Sequence, residues 1–151
     1  MRCLSFFTGK EFYAVDVTLV QQVARKMVVT PVPTAPDAVV GITNLKGRVI
    51  TLLSLCELFG HKEKPAGEPL GGAVDAVVFK SFSGGDDQIG LVIDRPGNLI
   101  DIDDNAIHSG IAEVGNRFYR IISIDSIIER YIYTGEKAAN TMLNGGNEND
   151  E

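Results

Sequence analysis

Two aspartates, Asp16 and Asp94, stand at comparable places where apolar runs end. A pair of carboxylates facing one cleft is what glycoside-type hydrolysis needs, one as acid and one as base or nucleophile. The competing role is structural, since an aspartate at the end of a strand accepts backbone N–H bonds from the turn that follows. Cys3 and Cys56 lack metal-type spacing, and Cys56 lies in an apolar segment with no basic neighbour to generate a thiolate. Asp101-Ile-Asp-Asp-Asn105 has the acid density of a calcium loop, but it lacks the glycine and the closing glutamate such a loop requires. His61 and His108 are solitary, without a second ligand at zinc spacing. Neither a Gly-x-Ser-x-Gly elbow nor a phosphate-cradling glycine loop occurs. The inventory predicts no catalytic residues, no metal site and no cofactor, with Asp16 and Asp94 as caps.

Composition narrows the partners. A net charge of −6 argues against nucleic acid and anionic membrane, both of which select clustered lysine and arginine. No apolar run reaches the ~18–20 residues that span a bilayer. With two thiols and no leader-like segment ahead of them, the expected location is the cytoplasm, and membrane association is expected to come only through a partner. A chain of 151 residues suits one domain that buries its own core.

The elements follow from patterning. Met1 to Phe7 and Glu11 to Val17 read as a hairpin about Thr8-Gly9-Lys10. Val20, Val23 and Met27 recur at helical spacing behind Thr18, which predicts a helix of about two turns over Thr18 to Lys26. Val28 to Val32 then reads as an edge strand running into the prolines at 31, 33 and 36. Asp37 to Ile42 could form one more turn. Asn44-Leu-Lys-Gly47 is a tight turn before a strand over Arg48 to Leu53, and Ser54 to Phe59 forms a short exit helix stopped by Gly60. Residues 61–72 form a loop between halves. Ala73 to Phe82 and Gln88 to Asp94 make a second hairpin, Asn98 to Ile102 and Arg117 to Ile124 are strands, and Asp125 to Tyr133 is a terminal helix or closing strand. The polar run from 135 to 151 is too poor in apolar surface to order itself.

One segment is written twice. Gly41-Ile-Thr-Asn-Leu-Lys-Gly-Arg-Val-Ile-Thr-Leu-Leu-Ser-Leu-Cys-Glu-Leu-Phe59 lies without a gap over Gly110-Ile-Ala-Glu-Val-Gly-Asn-Arg-Phe-Tyr-Arg-Ile-Ile-Ser-Ile-Asp-Ser-Ile-Ile128. Gly41/Gly110, Ile42/Ile111, Arg48/Arg117 and Ser54/Ser123 coincide, and Leu45/Val114, Val49/Phe118, Leu52/Ile121, Leu53/Ile122, Leu55/Ile124, Leu58/Ile127 and Phe59/Ile128 match as apolar pairs. Short strands, glycine turns and brief helices predict an all-β or mostly-β fold. The duplication predicts two small barrels whose seam can accept a peptide or helix. A barrel this small fills its own interior, so a small-ligand-binding protein, the alternative reading, would also use the seam.

The residues Glu11-Phe-Tyr-Ala-Val-Asp-Val-Thr-Leu-Val-Gln-Gln-Val23, Val32-Pro-Thr-Ala-Pro36 and Val40-Gly-Ile-Thr-Asn-Leu-Lys-Gly-Arg-Val-Ile-Thr-Leu-Leu-Ser-Leu55 closely resemble the bacterial chemotaxis coupling (CheW) family. Ile89 to Ile100 and Arg117 to Ile128 are similar to its second half. The resemblance implies two intertwined SH3-like five-stranded barrels with a groove between them over residues 1–134. It implies a non-catalytic adaptor joining methyl-accepting chemotaxis receptors to a CheA-type histidine kinase, in a flagellar or a pilus-type pathway. Carried onto this chain, the receptor groove includes Val20, Val23 and Leu99, and the kinase-facing turn includes Asn44, Lys46 and Gly47. The chain departs from the family pattern with Lys46 in place of the usual arginine, with Pro96, and with a short stretch from Ile107 to Gly110.

Overall fold

A computed structural model describes residues 1–59, 72–81 and 88–129. Eleven strands lie in these segments. In the first half they are β1 (Arg2–Thr8), β2 (Glu11–Asp16), β3 (Val20–Val28), β4 (Val39–Leu45) and β5 (Arg48–Ser54), followed by α1 (Leu55–Leu58). In the second they are β6 (Ala73–Phe79), β7 (Gln88–Ile93), β8 (Arg95–Asp101), β9 (Ile107–His108), β10 (Ile111–Val114) and β11 (Arg117–Ile122), followed by a helix over 124–129, α2. The expected loop at 61–72, but for its last residue, the hairpin tip at 83–87 and the tail at 135–151 lie outside the described residues.

The strands form two sheets, ordered β8-β1-β2-β11-β10-β9 and β3-β6-β7-β5-β4. Each sheet mixes the halves in the same way. A hairpin from one half, β1-β2 or β6-β7, receives the other half's long third strand on one side and its last strand, in parallel, on the other. The two halves are therefore exchanged, which is the intertwining expected from the family resemblance. The second sheet closes on itself where Thr30, just past β3, bridges Ile42 of β4 and the Thr43 hydroxyl donates to Val28 O at 2.8 Å. In the first sheet β9 performs the same closure, since His108 pairs with Ile111, the repeat counterpart of Ile42. This sheet thus holds a sixth strand. Its closing turn is only Ser109-Gly110, where the first half uses residues 31–41, so the short stretch noted in the sequence is a minimal hairpin.

Three apolar cores follow from strand alternation. Ala24, Met27, Val29, Ile50, Leu52, Ala76 and Val78 fill one barrel. Cys3, Ala14, Ile102, Ala112 and Tyr119 fill the other. The largest cluster lies between them, where Phe6, Tyr13 and Val15 of one sheet meet Leu53, Val77, Phe79, Ile89, Leu91 and Ile93 of the other, with Leu55 and Ile127 from the two helices. Phe6 and Tyr13 stack there with ring centroids 5.6 Å apart. The seam interior is thus a packed core.

One expected element is different. Residues 18–26 are not a helix: Val17–Leu19 make a single 3-10 turn capped by Asp16, and Val20–Val28 are strand β3. The helical spacing arises from two β-bulges, one between Val20 and Gln22 and one between Ala24 and Met27. A bulge inserts an unpaired residue and so advances the alternation by one. Val20 and Val23 consequently share a face opposite Phe79 and Val77, while Met27 joins Ala24 on the other. At the second bulge Asp75 accepts from the Lys26 N–H at 2.9 Å, holding Lys26 at φ 56, and pairs with Arg25 at 3.4 Å. The strand expected over Val28 to Val32 reduces to the end of β3 and the Thr30 bridge, and the expected turn occurs at Asp37 and Ala38, closed by Val39 N–H donating to Pro36 O at 2.9 Å, before the chain enters β4.

Candidate functional site

The exposed hairpin between β4 and β5 turns on Lys46 and Gly47, both left-handed at φ 55 and 85. Two consecutive left-handed residues are the signature of the type I′ turn, whose twist matches the strands it joins. The Asn44 side-chain oxygen accepts from the Gly47 N–H at 3.0 Å, so Asn44 serves the turn as well as standing on its surface. Lys46 and Arg48 are exposed beside it, and Val49 keeps 57% of its surface in solvent. Val49 was not singled out by the sequence; strand alternation alone cannot tell a solvated apolar face from a buried one.

Val20 and Val23 are half-buried, with their inner sides against the central core. Leu99 belongs to the other sheet. It pairs with Leu4 of β1, which packs on the same core, yet Leu99 itself remains 54% exposed. β1, whose Leu4 pairs with Leu99, also packs against the 3-10 turn that leads into Val20. Leu19, 41% exposed in that turn, adds apolar surface that sequence reading passed over. Val20 and Val23 on β3 and Leu99 on β8 stand on other strands than the Lys46 hairpin, which joins β4 and β5.

The residues with chemical potential are occupied structurally. Asp16 accepts from the Thr18 N–H at 2.9 Å and its hydroxyl at 2.8 Å, as a cap. Asp94 accepts at 2.9 Å from Gly9 N–H, in the opposite hairpin rather than in its own following turn. Asp16 pairs with Cys3 at one end of β1, and Asp94 N bonds Phe7 O near the other. At roughly 3.4 Å per residue those ends are about 14 Å apart, too far for a carboxylate pair to share a bond. Asp101 accepts from Arg2, which holds its carboxyl below the ordinary range, and Asp103 caps the turn at Asp104–Ala106. Both thiols are buried, and burial pushes that of Cys3 up.

The architecture defines a class: an exchanged twin barrel with a packed seam and an exposed hairpin between β4 and β5. A CheW-like domain model matches residues 2–130, and the chain belongs to that family, one of non-catalytic scaffolds. The chemotaxis protein CheW of Treponema pallidum is 29% identical over 109 residues, covering 70% of this chain and 61% of that protein, so less than two thirds of its length is spanned. The Thermotoga maritima CheW is 27% identical over 141 residues, covering 83% and 86%. Among solved structures, the scaffolding protein TtCheW of Thermoanaerobacter tengcongensis superposes with a TM-score of 0.67 at 22% identity, covering 81% of this chain and 88% of that one, which is a likeness of fold.

Proposed function

We propose that this chain is a cytoplasmic adaptor that couples methyl-accepting chemotaxis receptors to a CheA-type histidine kinase and is recruited to receptor arrays through those partners. The observation that carries the reading is the family match across residues 2–130. The geometry supports it. An amphipathic receptor helix would lay its apolar face on Leu19, Val20, Val23 and Leu99, while the kinase's regulatory domain would meet the hairpin of Asn44, Lys46 and Gly47. Lys46 contributes orientation more than affinity, since an exposed ion pair is worth about 0–1 kcal/mol. Because both surfaces stand on one exchanged body, binding at the two fixes receptor and kinase in one orientation and raises their effective concentration.

The experiment is a binding titration of the purified chain against the regulatory domain of a CheA-type kinase and a receptor-tip fragment from the same genome. Lys46→Asn retains the left-handed turn and removes the charge, so it is expected to weaken kinase binding alone. Leu99→Ser is expected to weaken receptor binding alone. Absence of binding to both partners overturns the reading.

A further inference from the structure

We propose that Gln88 is a positioning residue that couples the β3 bulge at Gln21 to the Lys46-Gly47 hairpin through Arg48, so that a partner engaging Gln21 alters how the hairpin is held. The inference rests on the two-surface reading above and adds a connection between the surfaces.

Gln88 opens β7 and is 4% exposed. Its side-chain nitrogen donates to Phe79 O at 3.0 Å and to the Gln21 side-chain oxygen, and its own oxygen accepts from the Arg48 guanidinium at 3.4 Å. A buried amide is disfavoured unless its groups are paired, and here both N–H groups and the carbonyl have partners. The buried hydroxyls of Ser5 and Thr43 bond to backbone. Gln88 differs because two of its three partners are side chains of exposed residues on different strands. Gln21 is the exposed residue at the bulge between Val20 and Gln22. Arg48 follows Gly47 directly, at the foot of the hairpin.

The three side chains are joined head to tail. Arg48 donates to Gln88, and Gln88 donates to Gln21, so each bond polarises the next. Turning the Gln88 amide over would set its oxygen against Phe79 O and its N–H groups against the guanidinium, which fixes one orientation. The movable member is Gln21, exposed and able to swing toward a partner. Its departure leaves a buried N–H of Gln88 unpaired, loosens the amide and with it the hold on Arg48. Linkage makes the effect reciprocal: a partner that draws Arg48 away weakens the grip on Gln21. An apolar residue at 88 would pack equally well in β7 and transmit nothing.

The first test needs no partner. In the full chain, Gln21→Ala is expected to shift the backbone amide resonances of Lys46 and Gly47 and the side-chain resonances of Arg48, and the shifts should vanish in a Gln88→Leu background. Arg48→Met, which leaves the buried amide in place, should also abolish the response at Lys46 and so covers a Gln88→Leu protein that folds poorly. Shifts confined to β3 and β6, or the same response with Gln88→Leu, overturn the proposal. The second test measures affinity for the kinase regulatory domain with and without a saturating receptor-tip fragment. A change of about fivefold is expected in the natural chain and none in Gln88→Leu. If both probes bind and the factor survives Gln88→Leu, the relay is wrong; if neither binds, the adaptor reading fails while the resonance result still decides the relay.

Discussion

Ser54 and Ser123 occupy the same position in the two halves and do the same work. The Ser54 hydroxyl accepts from Glu57 N–H at 3.3 Å at the start of α1, and the Ser123 hydroxyl accepts from Ser126 N–H at 3.3 Å at the start of α2. Each satisfies a backbone donor that a helix start leaves unpaired. Each also seats a helix whose inward residue, Leu55 or Ile127, enters the shared central core. Ser54→Ala and Ser123→Ala are each expected to cost about 1 kcal/mol in denaturant unfolding. The double variant is expected to show the sum, and a loss at only one site would mean the caps are not equivalent.

Gly41 and Gly110 coincide in the repeat for different physical reasons. A Cβ on Gly41 would stand 2.5 Å from Thr30 O and 2.5 Å from a Val29 methyl, inside the closure of the second sheet. Gly110 has open space but sits at φ +77. Asparagine tolerates left-handed backbone where alanine does not, yet it fits no better into a tight contact. Gly110→Asn should therefore be better tolerated than Gly110→Ala, whereas Gly41→Ala and Gly41→Asn should both be destabilised, by about 1–3 kcal/mol as overpacking. Thermal midpoints of the four variants check this.

Tyr13 carries a pH prediction. Its hydroxyl is pushed up to about 12 from 10.0, first by burial and then by the Glu11 carboxylate, against the opposing charge of Arg120. Below pH 10 both folded and unfolded chains hold the proton, so the contribution is complete. Between pH 10 and 12 the unfolded chain releases it while the folded chain keeps it, and stability falls. Tyr13→Phe is expected to lessen the alkaline loss of stability in this window; an unchanged slope would count against it.

The exchange of strands predicts how the chain tolerates cutting. Within residues 1–59, β3 and β5 lack their partners β6 and β7, and β1 lacks β8. Neither half alone should show cooperative unfolding, while the halves co-expressed should associate into one cooperative body. A cooperatively folding isolated half would contradict the topology.

At the candidate surfaces, position decides which substitution is informative. Leu99 is exposed, so Leu99→Ser should change stability by no more than about 0.5 kcal/mol while weakening receptor binding. Val23 packs on the central core, so Val23→Asp should lower the unfolding midpoint as well as binding. Equal destabilisation by both would place Leu99 inside the core.

Much of this was legible because local rules sufficed. The Lys46-Gly47 turn, the exit helix behind Ser54 and the first hairpin depend on residues within a few positions of each other. Residues 18–26 were misread because two bulges gave a strand a helix-like apolar period, and a bulge is set by the partner strand, which carries Asp75 and Val77. The doubled segment likewise foretold two similar halves but not why Gly41 and Gly110 are both glycine.

By itself, then, the sequence determined the strand-rich class, the repeat, the hairpin tips and the family they resemble, since each rests on short-range geometry and order along the chain. Only the tertiary structure decided which strands the halves exchange, that the seam interior is packed, that β3 is bulged twice, and that Gln88 ties Gln21 to Arg48. Those relationships are pairings between residues far apart in the chain. Their free energy comes from shared burial and hydrogen bonding that exist only once both sheets have closed.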